Sequence, residues 1–331
     1  MRRFALRHLA LVAAGGLLAA ACAEDTTPQA PPGPDGTTPD VPSPWIHPID
    51  EAASPTLDAA TRGLAVEETL ALAMELDPDT IQALHEALYP TPPIGTGDLT
   101  ACPAFLTYDY GEATSFFWQG ECTDLAGTRF SGFGFASHFA RFPSEFGPLD
   151  GAQLFMSGRI EAADGTFLEG SGSLNSLVVD SPQIAGSVRG IDGTFAAGGP
   201  RAPASPWLDG SRHPSISVVG WTWLATGGRN LTFEGAIGLP DHPTVTAVAF
   251  EGVTVREQAA GATCEDEPGG LASVRGVDGY WYDILFHGPT DEEPTTPAAD
   301  CDGCGDTWFR GRDVGPTCVD ITTIFTWPGA P

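Results

Sequence analysis

The chain contains no lysine. All 15 of its basic residues are arginine, and they stand against 43 Asp and Glu, for a formal net charge of −28. We read the missing lysine as codon bias of a GC-rich genome, but the shortage of positive charge has physical consequences. A surface this negative repels nucleic acid and anionic lipid headgroups, so nucleic acid is excluded as a partner. Basic proteins, divalent cations and glycans remain as partner classes. Apolar runs of membrane-spanning length are also lacking. The run Leu9–Ala21 has 13 residues, short of the roughly 20 a transmembrane helix needs.

Catalytic signatures are equally scarce. His85-Glu86 begins like the HExxH zinc motif, but Tyr89 stands where the second His belongs, and one imidazole does not hold the metal. Gly170-Ser171-Gly172-Ser173 does not satisfy G-x-S-x-G, and no glycine-rich phosphate loop opens a helix. His138, His213, His242 and His287 are scattered along the chain. The sequence calls for no cofactor and assigns no catalytic residue.

What is present begins at the N-terminus. Arg2, Arg3 and Arg7 form a basic region ahead of Leu9–Ala21, and Ala19, Ala20 and Ala21 directly precede Cys22. This start reads as a cleaved export signal over 1–21. It resembles the lipobox of bacterial lipoproteins, which implies that Cys22 becomes the lipidated first residue and holds the protein to a membrane. Ala23 is not the Asp that tends to retain such proteins at the inner membrane, so the resemblance implies the outer membrane. Ala19 stands where that family prefers Leu, and ordinary Ala-x-Ala cleavage without lipid is the competing reading. Cleavage removes three arginines and no acid, taking the net charge from −28 to −31. Residues 22–62 then form a tether, rich in Pro, Thr and Asp over 23–44, with little to bury.

Over 63–92 the period becomes helical. Val66, Leu70 and Met74, then Ile81, Leu84 and Leu88, recur at helical spacing, and Asp77-Pro78 between them is a helix start. The spacing predicts helices over about 64–76 and 78–89. From 98 to 331 the pattern is β, with alternation at Leu231–Ile237, Tyr280–Phe286 and Val319–Phe325. The chain is rich in turn formers, with 41 Gly and 30 Pro. Asp-Gly pairs at 164–165, 192–193 and 278–279 predict tight hairpins. The fold class is therefore mainly β, antiparallel hairpins forming a barrel or sandwich behind a short N-terminal helical pair. The stretch 197–214 is either a subdomain break or a long loop on one sheet.

Setting Cys22 aside, six cysteines remain: Cys102, Cys122, Cys264, Cys301, Cys304 and Cys318. An even count in an exported chain predicts disulfides. A hairpin centred on residue 112 sets Cys102 opposite Cys122, within bridging distance. The other four allow three pairings, or a four-thiolate zinc site built on Cys301-x-x-Cys304. Asp300, Asp302 and Asp306 around two glycines have oxygens for Ca²⁺ but lack the EF-hand Glu, so an acidic solvated turn is the simpler reading. Trp118, Trp221, Trp223, Trp281 and Trp308 lie on predicted strands, as a sugar-stacking face or as core. Three functions stay open: a lipid-anchored, non-catalytic binding or structural β domain, an envelope hydrolase acting on glycan or ester, and a metal-binding module.

Overall fold

A computed structural model describes residues 54–144, 147–181, 184–223, 229–257, 267–288 and 302–322. The two helices lie at the start. Helix α1 (Ala59–Met74) is capped by Asp58, whose side chain accepts the Thr61 N–H at 2.8 Å. Helix α2 (Pro78–Leu88) opens on Asp77, which accepts the Thr80 N–H, with Pro78 at the first helical position. The start of α2 follows the sequence expectation. Helix α1 begins earlier than its apolar period indicates, because Asp58 supplies a cap well ahead of Val66, where that period starts. The expected stripe is buried at Val66 and Leu70 on one helix and at Ile81, Leu84 and Leu88 on the other, while Met74 is partly buried.

Fifteen strands follow: β1 (Gly97–Asp98), β2 (Ala104–Asp109), β3 (Ala113–Thr123), β4 (Arg129–Ser144), β5 (Gly147–Glu161), β6 (Phe167–Asp180), β7 (Ile184–Gly198), β8 (Ser215–Trp223), β9 (Arg229–Gly238), β10 (Val245–Glu257), β11 (Gly269–Gly276), β12 (Trp281–His287), β13 (Cys304–Phe309), β14 (Arg312–Asp313) and β15 (Thr317–Cys318). They form one antiparallel sheet in which β1 to β14 pair strictly in chain order, with β15 added beside β13. The protein is thus mainly β, built of antiparallel hairpins behind a helical pair. Among the described residues no hydrogen bond joins β1 to β14, so the sheet is open.

The helices supply the cover that an open sheet needs. Helix α1 lies on β8, β10, β11 and β15, and α2 lies on β5, β6 and β7. Because side chains alternate along a strand, one face of the sheet gives Phe116, Trp118, Leu154, Met156, Leu174, Ile191, Phe233, Val248 and Ile284 to this shared core. Arg62 of α1 enters the core as well. Its Nε donates to Thr317 Oγ1 at 2.9 Å, its Nη1 donates to the Leu57 carbonyl at 2.8 Å, and its guanidinium lies over the Tyr282 ring. That arrangement satisfies a buried cation by hydrogen bonds and ring contact.

Two sequence expectations change place. Asp164-Gly165 and Asp278-Gly279 do form hairpin turns, each Gly at positive φ. Asp192-Gly193, however, lies inside β7, where Gly193 faces Gly172 of β6. The stretch after β7 is a loop within the one sheet and not a domain boundary, since β7 and β8 pair from Ile184↔Trp223 to Asp192↔Ser215. That loop folds back, burying Trp207 and Leu208, and its Leu208 carbonyl accepts the Ala197 N–H of β7. Of the expected strand at 319–325, Val319 and Ile321 are buried without being strand, and Thr323 and Phe325 lie outside the described residues.

Candidate functional site

The cysteines are the first site residues to place. Cys102 and Cys122 are disulfide-bonded, with Cα atoms 6.0 Å apart. The hairpin register runs from Asp109↔Thr114 to Ala104↔Gln119, so its centre lies between residues 111 and 112 rather than on 112. Cys102 precedes β2 and reaches one position past strict opposition. Cys304 and Cys318 form a second disulfide across the β13–β15 pair. That bond removes two ligands from the four-thiolate zinc site, which is thereby excluded, and it takes Cys304 out of any redox pair with Cys301. Cys22, Cys264 and Cys301 lie outside the described residues. Two disulfides fit an extracytoplasmic protein.

Peptide mapping without reduction is expected to recover Cys102 linked to Cys122 and Cys304 linked to Cys318. The remaining pair, Cys264 and Cys301, is expected to be linked by elimination. Replacing Cys102 and Cys122 together by Ser should lower stability by about 3 kcal/mol in a urea titration, the effect of releasing a loop of this length. An unchanged midpoint would mean that the hairpin register alone holds the two segments.

The other candidate residues named from the sequence fall apart in space. Among the described residues no group of three or more His, Cys, Asp or Glu is placed to hold a metal ion. Asp302 accepts the Cys304 N–H, while Asp306 pairs with His287 Nε2 at 3.0 Å, so both carboxylates already serve local contacts. Trp118 and Trp221 are buried, so these tryptophans do not share one exposed face with the half-buried Trp281 and Trp308. His242 caps its own loop by accepting the Val245 N–H at 2.9 Å.

One constellation was not legible in the sequence. A shallow cleft, open to solvent, lies under α2 and is lined by Gln82, His85, Glu86, Ala136, His138, Ala152, Gln153 and Leu154. Helix periodicity sets Gln82, His85 and Glu86 on the side of α2 that meets β4 and β5. His85 is fully buried, and its Nε2 accepts the Trp118 indole N–H at 3.2 Å. Burial, with His138 close by, pushes its pKa down to about 4. Glu86 Oε1 meets His138 Nε2 at 3.1 Å, both side chains about half exposed. The Gln82 amide nitrogen is buried without a hydrogen-bond partner. The innermost room suits about one water molecule. A carboxylate–imidazole pair is capable of proton transfer, but the enclosed room, about 10 Å³, is far below the several hundred Å³ of usual ligand pockets. The half-motif His85-Glu86 thus serves packing with its first residue and a cross-element carboxylate–imidazole contact with its second.

Comparison with protein-family models, with curated proteins and with solved structures finds no match to this chain. The functional reading therefore rests on its own residues.

Proposed function

We propose that the chain is a lipid-anchored envelope protein, exported and held at the outer membrane through acylated Cys22, whose β body is a non-catalytic binding or structural module. The supporting observation is covalent. Two disulfides brace a domain that follows an export signal, a cysteine at the cleavage point and a Pro-rich tether. No helix among the described residues is long and apolar enough to cross a membrane, and a lipid on Cys22 supplies the attachment instead. The side of the sheet that faces the helices is packed with the chain's own side chains.

Mass spectrometry of the mature protein tests the anchor. An acylated N-terminal Cys22 is expected, together with release into the soluble fraction on Cys22→Ala. An unacylated first residue at another position would overturn the reading. A hydrolase reading has one observation in its favour, the Glu86–His138 pair beside the cleft. Ester or glycan turnover by the mature domain that disappears in His138→Ala would replace the non-catalytic assignment.

A further inference from the structure

The sheet face turned away from the helices is not uniform. Over β6 and β7 its middle rows carry Ser171, Ser173, Asn175 and Asp192, while over β2–β5 they carry rings. Register places Leu106, Phe117, Phe135 and Phe155 side by side across four strands. Tyr108 and Tyr110 extend this patch along β2 toward the hairpin tip, with rings 6.1 Å apart and near parallel. Phe133 joins it, with its centroid 6.4 Å from Phe117 and 5.7 Å from Phe155. The phenylalanines are half-buried, and the two tyrosines are 41% and 56% exposed. A contiguous aromatic patch on a charged, soluble surface marks an interaction site.

We propose that this face binds an arginine-rich segment of a partner protein. Charge decides the sign of the partner. Asp109 and Glu112 flank Tyr110 at the tip, Glu121 lies beyond Gln119 at the other end of β3, and Asp192 is exposed in the same row as Phe155. On the same face of β5, Arg159 is already taken by Glu161 and Glu169 and lies over Phe167 at 3.7 Å. Aromatic faces attract guanidinium groups, and the chain uses this itself, as Arg310 over Tyr280 at 4.2 Å also shows. Among the described residues no arginine covers the rings of Tyr108, Tyr110, Phe117, Phe133, Phe135 or Phe155. An anionic leaflet or a second copy of this acidic chain meets repulsion at the same place. The assignment is independent of how the protein is anchored.

The test uses the mature protein and two short fluorescent peptides, one alternating arginine with glycine and one alternating lysine with glycine, in anisotropy titrations at roughly physiological salt. The arginine peptide is expected to bind more tightly than the lysine peptide. Tyr108→Ser, Phe135→Ser and Phe155→Ser together should weaken it by about tenfold or more. Removing charges from the helical side, with Glu68→Gln and Glu75→Gln, should leave binding within about twofold. Where the triple variant unfolds, Tyr110→Ser, on the most exposed ring, should give a loss of about threefold. Equal affinity for both peptides, or unchanged binding by a folded ring variant, would overturn the proposal in favour of bulk charge attraction. Vesicle binding or dimerisation by the parent protein that the ring substitutions abolish would overturn it in favour of a membrane or a second copy.

Discussion

Lowering the pH from about 7.5 to about 5 is expected to cost the protein about 2 kcal/mol more than it costs a His85→Gln variant. The cause is position. His85 is buried, accepts the Trp118 N–H, and lies close to His138, so the folded state holds it neutral down to about pH 4. In the unfolded chain the same imidazole takes a proton near its ordinary value of about 6.5. Above that value neither state is charged and the full stability is present. As the pH falls through the window from 6.5 toward 4, only the unfolded state binds the proton, and stability is lost; the total reaches about 3 kcal/mol. Every other ionisable group is common to both proteins, so the difference between the two reports on His85. Urea titrations of both proteins at several pH values measure it. Parallel curves would show that His85 is charged in the folded state, and that its burial does not hold it neutral.

Most of the fold was legible because its elements obey local rules. Asp77-Pro78 names a helix start by its cap and ring, and the alternation of Tyr282, Ile284 and Phe286 names a strand with one buried face. The Cys102–Cys122 bridge followed from counting residues around a hairpin, and an error of half a residue in its centre was absorbed because Cys102 lies outside β2. What no local rule supplies is the closure of the sheet. Hairpins need their apolar face covered, by closing, by stacking or by a helix, and period-two patterning is the same in all three cases. The helical pair that does the covering was legible in the sequence, but nothing in residues 59–88 says which strands it lies on.

The cleft shows the same limit more sharply. Glu86 and His138 are joined only because α2, lying on β5, β6 and β7, reaches the neighbouring β4 with one side chain. Residue spacing holds no trace of that placement. The dipeptide His85-Glu86 points to a metal, whereas the surroundings of His85 are an indole N–H, a second imidazole at His138 and closely packed side chains. The ring patch on β2–β5 was within reach. Leu106, Tyr108 and Tyr110 alternate, as do Phe133 and Phe135, but an aromatic ring on a strand suits a buried face as well as an exposed one. Trp118 belongs to the opposite face and is fully buried there.

Asp192-Gly193 has the composition of a tight turn, and Gly193 does adopt positive φ, 106°. It does so in mid-strand, opposite Gly172, where an added Cβ would run into the Ser171 carbonyl and the Gly172 backbone. Gly132 on β4 repeats the arrangement opposite Gly158, at φ 85°. These pairs let adjacent strands approach where side chains would hold them apart. Gly193→Ala should therefore cost about 3 kcal/mol or more, since backbone strain and a backbone clash add and neither neighbour is a flexible side chain. Gly165→Ala separates the two causes. Gly165 has φ 82° in the β5–β6 turn with nothing within 4 Å of the added Cβ, so it keeps the strain and loses the clash. Its expected cost is about 1 kcal/mol. Denaturant midpoints of the two variants at constant slope measure both. Equal losses would mean that the clash at Gly193 relaxes by strand movement, and that the glycine pairs do not set the spacing between β6 and β7.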